Sequence, residues 1–203
     1  MKLEIERVKE TQTPIIWSRM TVRWMADLIE PSAQEHYLLL AYLAAQVTDG
    51  TILDLGTSTG MSALAFADGR AASQHDVEII TVDLTSEALL MKIDDLVTIR
   101  NCSADEITTE WATCSLALLD IGHDGRVEEL VFKHARENGF RGVMVVDDIR
   151  SCANLRELFR NLPERHYELS RHFHWSGTGV VDFGGDLVAV SYTHLTLPTN
   201  REV

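Results

Sequence analysis

Basic residues are scarce in this sequence of 203 residues. It has 18 lysines and arginines against 31 aspartates and glutamates, which gives a formal net charge of −13 at pH 7. A chain of this sign offers no broad basic face to neutralise phosphates, so duplex DNA or structured RNA would be repelled. The charge therefore excludes nucleic acid as an expected partner and favours a small-molecule substrate.

Cysteine is also scarce. The three copies are Cys102, Cys114 and Cys152, an odd number without CxxC-type spacing. This pattern predicts neither a disulfide framework nor a zinc cluster. We interpret all three as buried free thiols, because cysteine often serves as a small core residue.

Long hydrophobic runs are missing from the chain. The N-terminal segment MKLEIERVKETQTPII is charged and lacks the apolar region of a signal peptide. No run of about 18 apolar residues, the length that would cross a membrane, occurs elsewhere. We therefore expect a soluble, cytoplasmic protein without a membrane partner.

The final residues do not continue the pattern of the rest of the chain. The stretch SYTHLTLPTNREV follows an apolar strand and resembles a translated sequencing-adapter scar. We interpret residues 192–203, which include His194, as a non-native tail without a functional role.

The chain length and its hydrophobic fraction of 45% predict one well-buried domain. We place this domain at residues 31–191, after an N-terminal helical cap at residues 1–30. Apolar side chains in the cap recur at roughly helical spacing: Trp17, Met20, Trp24 and Met25. Core packing is the first interpretation of this pattern, and a substrate lid or a homodimer contact is the alternative.

Apolar runs alternate with helix-period runs along the domain, which predicts an α/β fold with a mostly parallel sheet covered by helices. Strands are expected at residues 51–55, 77–84, 97–100, 115–120 and 142–148, and helices at residues 31–47, 61–69, 124–138 and 152–162. Residues 167–175 and 180–185 predict a hairpin that closes one edge of the sheet. His172 and His174 alternate along this hairpin and are interpreted as one strand face.

A glycine-rich turn, DLGTSTGMS at residues 54–62, follows the first of these strands. Glycine lets the backbone approach a ligand closely, and the first amides of the next helix offer unpaired donors. The turn is not a dinucleotide fingerprint, because Ser58 and Met61 stand where the second and third glycines belong. It is not a phosphate loop either, since no lysine is present.

An acidic residue followed by GxxxG resembles motif I of the class I S-adenosylmethionine-dependent methyltransferases. The resemblance implies a Rossmann-like, seven-stranded, mostly parallel sheet with helices on both faces and a C-terminal antiparallel hairpin. It also implies that Asp54 helps to hold the methionine ammonium of S-adenosylmethionine, directly or through water. The other expected cofactor-binding residues of the turn are Gly56, Thr57, Ser58, Gly60 and Ser62. A turn that only joins a strand to a helix is the alternative.

Two further features follow the next strands in order. Asp83 lies at the position expected for a carboxylate that accepts both ribose hydroxyls. Residues 101–106 resemble the adenine-contacting segment of the family, with Ser103, Ala104 and Asp105 as the expected contacts. A serine or aspartate that only caps a helix is the alternative there. Both features lie at the carboxyl ends of strands, where open α/β sheets bind ligands.

Carboxylates also end the strands predicted at residues 115–120 and 142–148. Asp120 ends the first, and Asp147 and Asp148 end the second. If these strands are neighbours about 4.8 Å apart, their carboxylates converge and a hard divalent cation such as Mg²⁺ would relieve the repulsion. Adjacent strand residues point to opposite faces, so both Asp147 and Asp148 can bind one metal only beyond the strand end. Otherwise either residue caps the following helix.

This pattern resembles the metal-dependent O-methyltransferases, including the catechol and caffeoyl-coenzyme A enzymes and, more closely, the group acting on sugar hydroxyls of macrolide antibiotics. The resemblance implies that Asp120, Asp147 and Asp148 bind the metal, and that Asp120 is both cofactor-binding and catalytic. It implies that His123 is the general base, since a neutral imidazole can take the proton of a metal-activated hydroxyl. A solvated loop histidine and a metal ligand are the alternatives for His123.

The expected function is therefore S-adenosylmethionine-dependent methylation of a small-molecule hydroxyl, assisted by Mg²⁺ or another divalent cation. A vicinal diol or a catechol-like group is the expected acceptor, because adjacent oxygens can chelate the metal. Three alternatives stay open. They are a metal-independent methyltransferase, a non-catalytic S-adenosylmethionine-binding protein, and a different chemistry on the same scaffold, such as hydroxylation.

Overall fold

The computed structural model describes residues 1–4, 8, 31–73, 75–85, 97–169 and 176–190. Three predicted features lie outside the described residues: the apolar pattern at residues 17–25, the strand face of His172 and His174, and the tail at residues 192–203. Within the described ranges, no helix combines the length and the apolar character needed to cross a membrane.

A seven-stranded sheet forms the centre of the fold. Its strands are β2 (Thr51–Leu55), β3 (Glu78–Asp83), β4 (Val97–Asn101), β5 (Cys114–Leu119), β6 (Val143–Val146), β7 (Arg165–Glu168) and β8 (Gly179–Asp182). Their spatial order is β4-β3-β2-β5-β6-β8-β7. The pairs β4–β3, β3–β2, β2–β5 and β5–β6 are parallel, and the pairs β6–β8 and β8–β7 are antiparallel. The predicted mostly parallel sheet with a C-terminal antiparallel hairpin is confirmed.

Helices cover both faces of this sheet. Those described in full are α1 (Pro31–Ala44), α2 (Met61–Ser73), α3 (Arg126–Glu137) and α4 (Ala153–Arg160). Side chains of β5 alternate between the faces: Leu116 and Leu118 pack in one core with α1 and α2, while Ala117 and Leu119 pack in another with α3 and α4. This two-residue alternation is the reason that continuous apolar runs form strands buried on both sides.

A second, two-stranded sheet joins the two ends of the described chain. β1 (Lys2–Glu4) pairs in parallel with β9 (Val188–Val190), and Leu3 lies opposite Ala189. The Leu3 side chain is fully buried in the same core as α1. The prediction of a helical cap is therefore wrong for residues 2–4, because pairing with a distant strand determines their conformation.

The parallel strands end in register at one edge of the sheet. Leu55 at the end of β2 is the partner of Val82 in β3 and of Leu119 at the end of β5, and Leu119 is the partner of Val146 at the end of β6. The loops that follow these strands therefore meet on one side of the molecule, as in other open α/β sheets.

Candidate active site

The loop after β2 crosses directly beneath the end of β5. Gly56 has a φ of +113°, and a Cβ at this position would lie 2.0 Å from the carbonyl oxygen of Asp120. The amides of Gly56 and Thr57 donate to the carbonyl oxygen of Val82, at 2.9 and 3.2 Å. Residue 56 must therefore be glycine, because both the backbone conformation and the close approach exclude a side chain.

Asp54, near the end of β2, connects the two ends of this loop through a hydrogen bond with Ser62 at the start of α2. Its side chain is fully buried, and its Oδ2 accepts hydrogen bonds from Ser62 Oγ at 2.9 Å and Thr81 Oγ1 at 2.8 Å. Burial raises the pKa of Asp54 to about 7, although both hydroxyls lower it and the charge of Asp83 adds to the rise. Its Oδ1 has no hydrogen-bond partner among the described residues. Asp54 thus acts on the loop through Ser62.

Asp83, at the end of β3, is oriented by two backbone amides. Its Oδ2 accepts from the amide of Ser58 at 2.7 Å, and its Oδ1 accepts from the amide of Thr85 at 3.1 Å. Charge-assisted bonds of this kind are short and directional. They fix the carboxylate at the edge where the β2 and β3 loops meet.

The segment after β4 carries the predicted adenine contacts. Ser103 precedes a 3₁₀ helix, Ala104–Glu106, and its amide donates to Glu106 Oε1 at 2.8 Å. A hydrogen bond from the Ser103 side chain lowers the pKa of Asp105 below its ordinary value. Ser103 thus lies at the start of this short helix, and Ser103, Ala104 and Asp105 also line the cavity described next, so both interpretations stay open.

A cavity of about 650 Å³ opens at this edge of the sheet. The predicted site residues that line it are Gly56, Ser58, Asp83, Ser103, Ala104, Asp105, Asp120 and His123. Four predicted cofactor-binding residues are absent from its lining: Asp54, Thr57, Gly60 and Ser62. Thr57 and Gly60 belong to the loop itself, while Asp54 lies in β2 and Ser62 in the first turn of α2.

One wall of the cavity comes from helix α3 and was not predicted. Val127, Leu130, Val131 and His134 line it, at the three- and four-residue spacing typical of one helix face. Val127 and Leu130 are 39% and 54% exposed. Apolar side chains on a cavity wall that stay open to solvent are typical of a ligand-binding surface.

Two carboxylates flank the ring of His123 beside the cavity. Its Nε2 lies 3.7 Å from Asp120 Oδ1, and its Nδ1 lies 3.2 Å from Asp148 Oδ2. Asp120 directly follows β5, whereas β6 ends at Val146, two residues before Asp148. Asp148 has a φ of +56°, and its Oδ1 accepts a short hydrogen bond from Ser176 Oγ. The strand has therefore turned before Asp148, which brings its carboxylate to His123.

Asp147 lies outside this group. Its side chain is buried, and its Oδ2 lies 3.8 Å from Nε2 of His36 in α1. His36 is itself buried, with Nδ1 at 3.5 Å from Thr178 Oγ1. Of the predicted metal ligands, the structure thus brings Asp120 and Asp148 together and directs Asp147 towards α1. No local signal in the sequence indicated His36, because α1 is distant from β6 along the chain.

The fold resembles those of solved methyltransferases. CalS11, a TDP-rhamnose 3′-O-methyltransferase of calicheamicin biosynthesis, matches with a TM-score of 0.60 at 14% identity, covering 89% of this chain and 93% of that chain. TomG from Streptomyces achromogenes, an O-methyltransferase of tomaymycin synthesis solved with S-adenosylmethionine, matches with 0.57 at 16%, covering 86% and 92%. PaMTH1 of Podospora anserina, solved with S-adenosylhomocysteine, matches with 0.58 at 14%, covering 88% and 92%.

This chain has the class I methyltransferase fold. No protein-family model and no curated protein matches it. Sequence identities this low establish the fold alone. The reaction, the acceptor and any metal therefore have to be argued from the residues of the methyltransferase fold in this chain.

The residues beside His123 fit a divalent cation. One ligand atom each of Asp120, His123 and Asp148 lie within 4.8 Å of one another. Carboxylate oxygens suit Mg²⁺ and Mn²⁺, and an imidazole nitrogen shifts the preference towards transition metals such as Mn²⁺. A nitrogen that binds a metal cannot also accept a proton, so the two roles expected for His123 require different ring nitrogens or exclude each other.

Proposed function

We propose that the protein is an S-adenosylmethionine-dependent O-methyltransferase acting on a hydroxyl of a small molecule, with its catalytic domain at residues 31–191. The observation that carries this proposal is the meeting of two features at one cavity. Asp83 and the loop after β2 line this cavity, and Asp120 and His123 line it as well. The His123 ring also contacts Asp148, which lies outside the lining. The first feature suits a ribose, and the second suits a hydroxyl that must lose a proton.

Cofactor binding is assigned to the loops after β2, β3 and β4. Asp83 accepts the ribose hydroxyls, because the amides of Ser58 and Thr85 already orient its carboxylate. The segment from Ser103 to Asp105 offers polar groups to the adenine edge. Asp54 supports the methionine end through its hydrogen bond with Ser62 rather than as a wall of the cavity.

The proposed reaction needs a base, and the two carboxylates beside the His123 ring support our assignment of that role to His123. S-adenosylmethionine supplies a methyl group on a positively charged sulfur. His123 takes the proton of the acceptor hydroxyl, the oxygen forms a bond to the methyl carbon, and the carbon–sulfur bond breaks to leave a neutral thioether. Asp120 and Asp148 stabilise the imidazolium that forms, since both face ring nitrogens.

The proposal includes a divalent cation that assists the reaction. Asp120 and Asp148 are the residues that would hold it, and it would lower the pKa of the acceptor hydroxyl. The metal-independent alternative stays open, because a neutral imidazole can act as a general base without a metal. Mg²⁺, the cytoplasmic location and the homodimer stay predictions.

The same geometry supports a proposal for the acceptor class. Two neighbouring hydroxyls could present one oxygen to His123 and the other to the carboxylates, which favours a vicinal diol. CalS11, with a similar fold, methylates a hydroxyl of a sugar nucleotide. TDP-rhamnose and protocatechuate are therefore suitable first probes, one a sugar and one a catechol.

The test begins with calorimetric titration of S-adenosylmethionine into wild type, Asp83→Asn and Asp186→Asn. Asp186 is exposed at the opposite end of the sheet and serves as the control. We expect binding by wild type and the control and at least tenfold weaker binding by Asp83→Asn. Absence of binding by wild type would refute the proposal.

Methyl transfer to the two probes is then followed by mass spectrometry, with Mg²⁺ and with a chelator. Transfer that requires Mg²⁺ supports the metal-assisted reaction. Undiminished transfer in chelator supports the metal-independent enzyme. Tight cofactor binding without transfer to either probe or to a wider set of hydroxylated acceptors would favour the non-catalytic binding protein.

A further inference from the structure

The loop that carries Asp120 and His123 has an unusual backbone. Gly122, His123 and Gly125 have φ values of +77°, +58° and +91°. Glycine adopts this left-handed region freely, whereas a histidine is crowded there by its Cβ. The conformation of His123 therefore has to be held by contacts from outside the loop.

A buried carboxylate supplies the first of these contacts. Glu128 lies in the first turn of α3 and is only 2% exposed. Its Oε1 accepts from the amide of His123 at 2.6 Å, and its Oε2 accepts from the amide of Gly125 at 2.9 Å. One side chain thus fixes two amides of the loop with charge-assisted hydrogen bonds.

The second contact comes from the loop after β6. Ser151 Oγ donates to the carbonyl oxygen of His123 at 3.3 Å, and the amide of Ser151 donates to the carbonyl oxygen of Asp148 at 2.8 Å. The amide and carbonyl groups of His123 are therefore both held, one from α3 and one from the loop that carries Asp148. Neither Glu128 nor Ser151 lines the cavity.

We propose that Glu128 and Ser151 are positioning residues, which hold the backbone of His123 so that its imidazole stays between Asp120 and Asp148. This inference rests on the proposed role of His123 as the base. Glu128 bridges two amides at fixed spacing, so a shorter or uncharged side chain cannot replace it fully. Ser151 ties the β5 and β6 loops together, so it controls the distance between the two carboxylates that face the ring.

A simpler role for Glu128 is to stabilise the start of α3, where a negative charge is favourable. That role predicts a lower melting temperature without any change in chemistry at His123. Glu129, the exposed neighbour of Glu128 in the same helical turn, provides the matched control. Replacing Glu129 removes a charge near the helix start and leaves the two amide contacts intact.

The experiment compares Glu128→Gln, Ser151→Ala and Glu129→Gln in two assays. In the first, methyl transfer from S-adenosylmethionine to TDP-rhamnose or protocatechuate gives kcat and the KM for the cofactor. We expect kcat to fall roughly 10- to 100-fold in Glu128→Gln, as for other residues that orient a catalytic group, with KM for the cofactor unchanged. In Ser151→Ala, kcat should fall less, and in Glu129→Gln it should equal that of wild type.

The second assay observes the His123 ring by long-range proton–nitrogen NMR, without any acceptor. We expect the NMR signals of the His123 ring nitrogens to shift or broaden in Glu128→Gln and Ser151→Ala, while those of His166 on β7 stay unchanged.

Should wild type transfer no methyl group, the proposed function fails, and the spectra still test the positioning. If Glu128→Gln does not fold, Ser151→Ala carries both assays. Wild-type kcat together with unchanged His123 spectra in the variants would overturn the inference.

Discussion

The free energy of unfolding of wild type should fall between pH 5 and pH 8 because of the buried carboxyl of Asp54. Replacing Asp54 by asparagine should abolish this fall. The Asp54 carboxyl is fully buried, and burial raises its pKa from 3.8 to about 7. In the unfolded chain this group ionises near its ordinary value. In the folded protein it keeps its proton until the pH reaches about 7. Stability should therefore fall as the pH rises through this interval.

The size of the effect follows from the two pKa values. Each pKa unit corresponds to about 1.4 kcal/mol, and the group is fully buried, so solvent screening is small. The cost to the free energy of unfolding is about 1.5 kcal/mol at pH 5 and about 4 kcal/mol at pH 8. Asparagine cannot ionise, but its amide leaves a buried donor unpaired, at a constant cost of about 1–3 kcal/mol. The quantity to measure is thus the change in this cost between pH 5 and pH 8, which is about 2.5 kcal/mol.

The assay is urea unfolding of wild type and Asp54→Asn at pH 5 and pH 8, followed by tryptophan fluorescence. Trp111 is fully buried and reports the loss of the core. Other carboxylates titrate equally in both proteins, so the difference between them isolates Asp54. Asp186→Asn, an exposed aspartate, should track wild type at both pH values. A difference between wild type and Asp54→Asn that is the same at pH 5 and pH 8 would refute the reasoning.

Three further predictions concern the loops around the cavity. Gly56→Ala should lower the free energy of unfolding by roughly 2–4 kcal/mol in urea titrations, because its Cβ would meet a carbonyl oxygen at 2.0 Å; wild-type stability would contradict the contact. Asp83→Asn should weaken S-adenosylhomocysteine binding roughly 10- to 100-fold by calorimetry, through loss of charged hydrogen bonds to the ribose. Asp148→Asn should lower Mn²⁺ affinity in the same instrument at least tenfold, whereas the control Asp186→Asn should not.

Strands that are buried on both faces could be predicted closely from the sequence. The strand expected at residues 51–55 is β2 (Thr51–Leu55), and the one expected at residues 77–84 is β3 (Glu78–Asp83). Continuous Val, Ile and Leu runs between glycine and polar residues allow few alternatives in a chain of this length. β1 and β9 escaped prediction because each has three residues and their pairing joins opposite ends of the chain.

Many residues of the candidate site could be identified from the sequence, but their relative positions could be predicted only in part. Asp83 and Asp120 lie at the cavity because strand ends place them there, whereas His123 reaches it through the conformation of the loop after β5. The separation of Asp147 from Asp148 depends on where β6 stops and on the left-handed turn at Asp148. Glu128 gave no signal as a partner of His123, since an acidic residue in the first turn of a helix is commonplace.

The core is divided into two layers, one on each face of the sheet. Amino-acid substitutions can therefore accumulate in one layer faster than in the other. The cavity takes its helical wall from α3, while α1 and α2 lie in the core on the other face of the sheet and contribute no lining residue. Substitutions at the lining residues Val127, Leu130 and His134 would reshape the ligand space and leave the opposite layer intact. An evolving lineage, or a combinatorial library restricted to that one helix, could explore new ligands without rebuilding the scaffold.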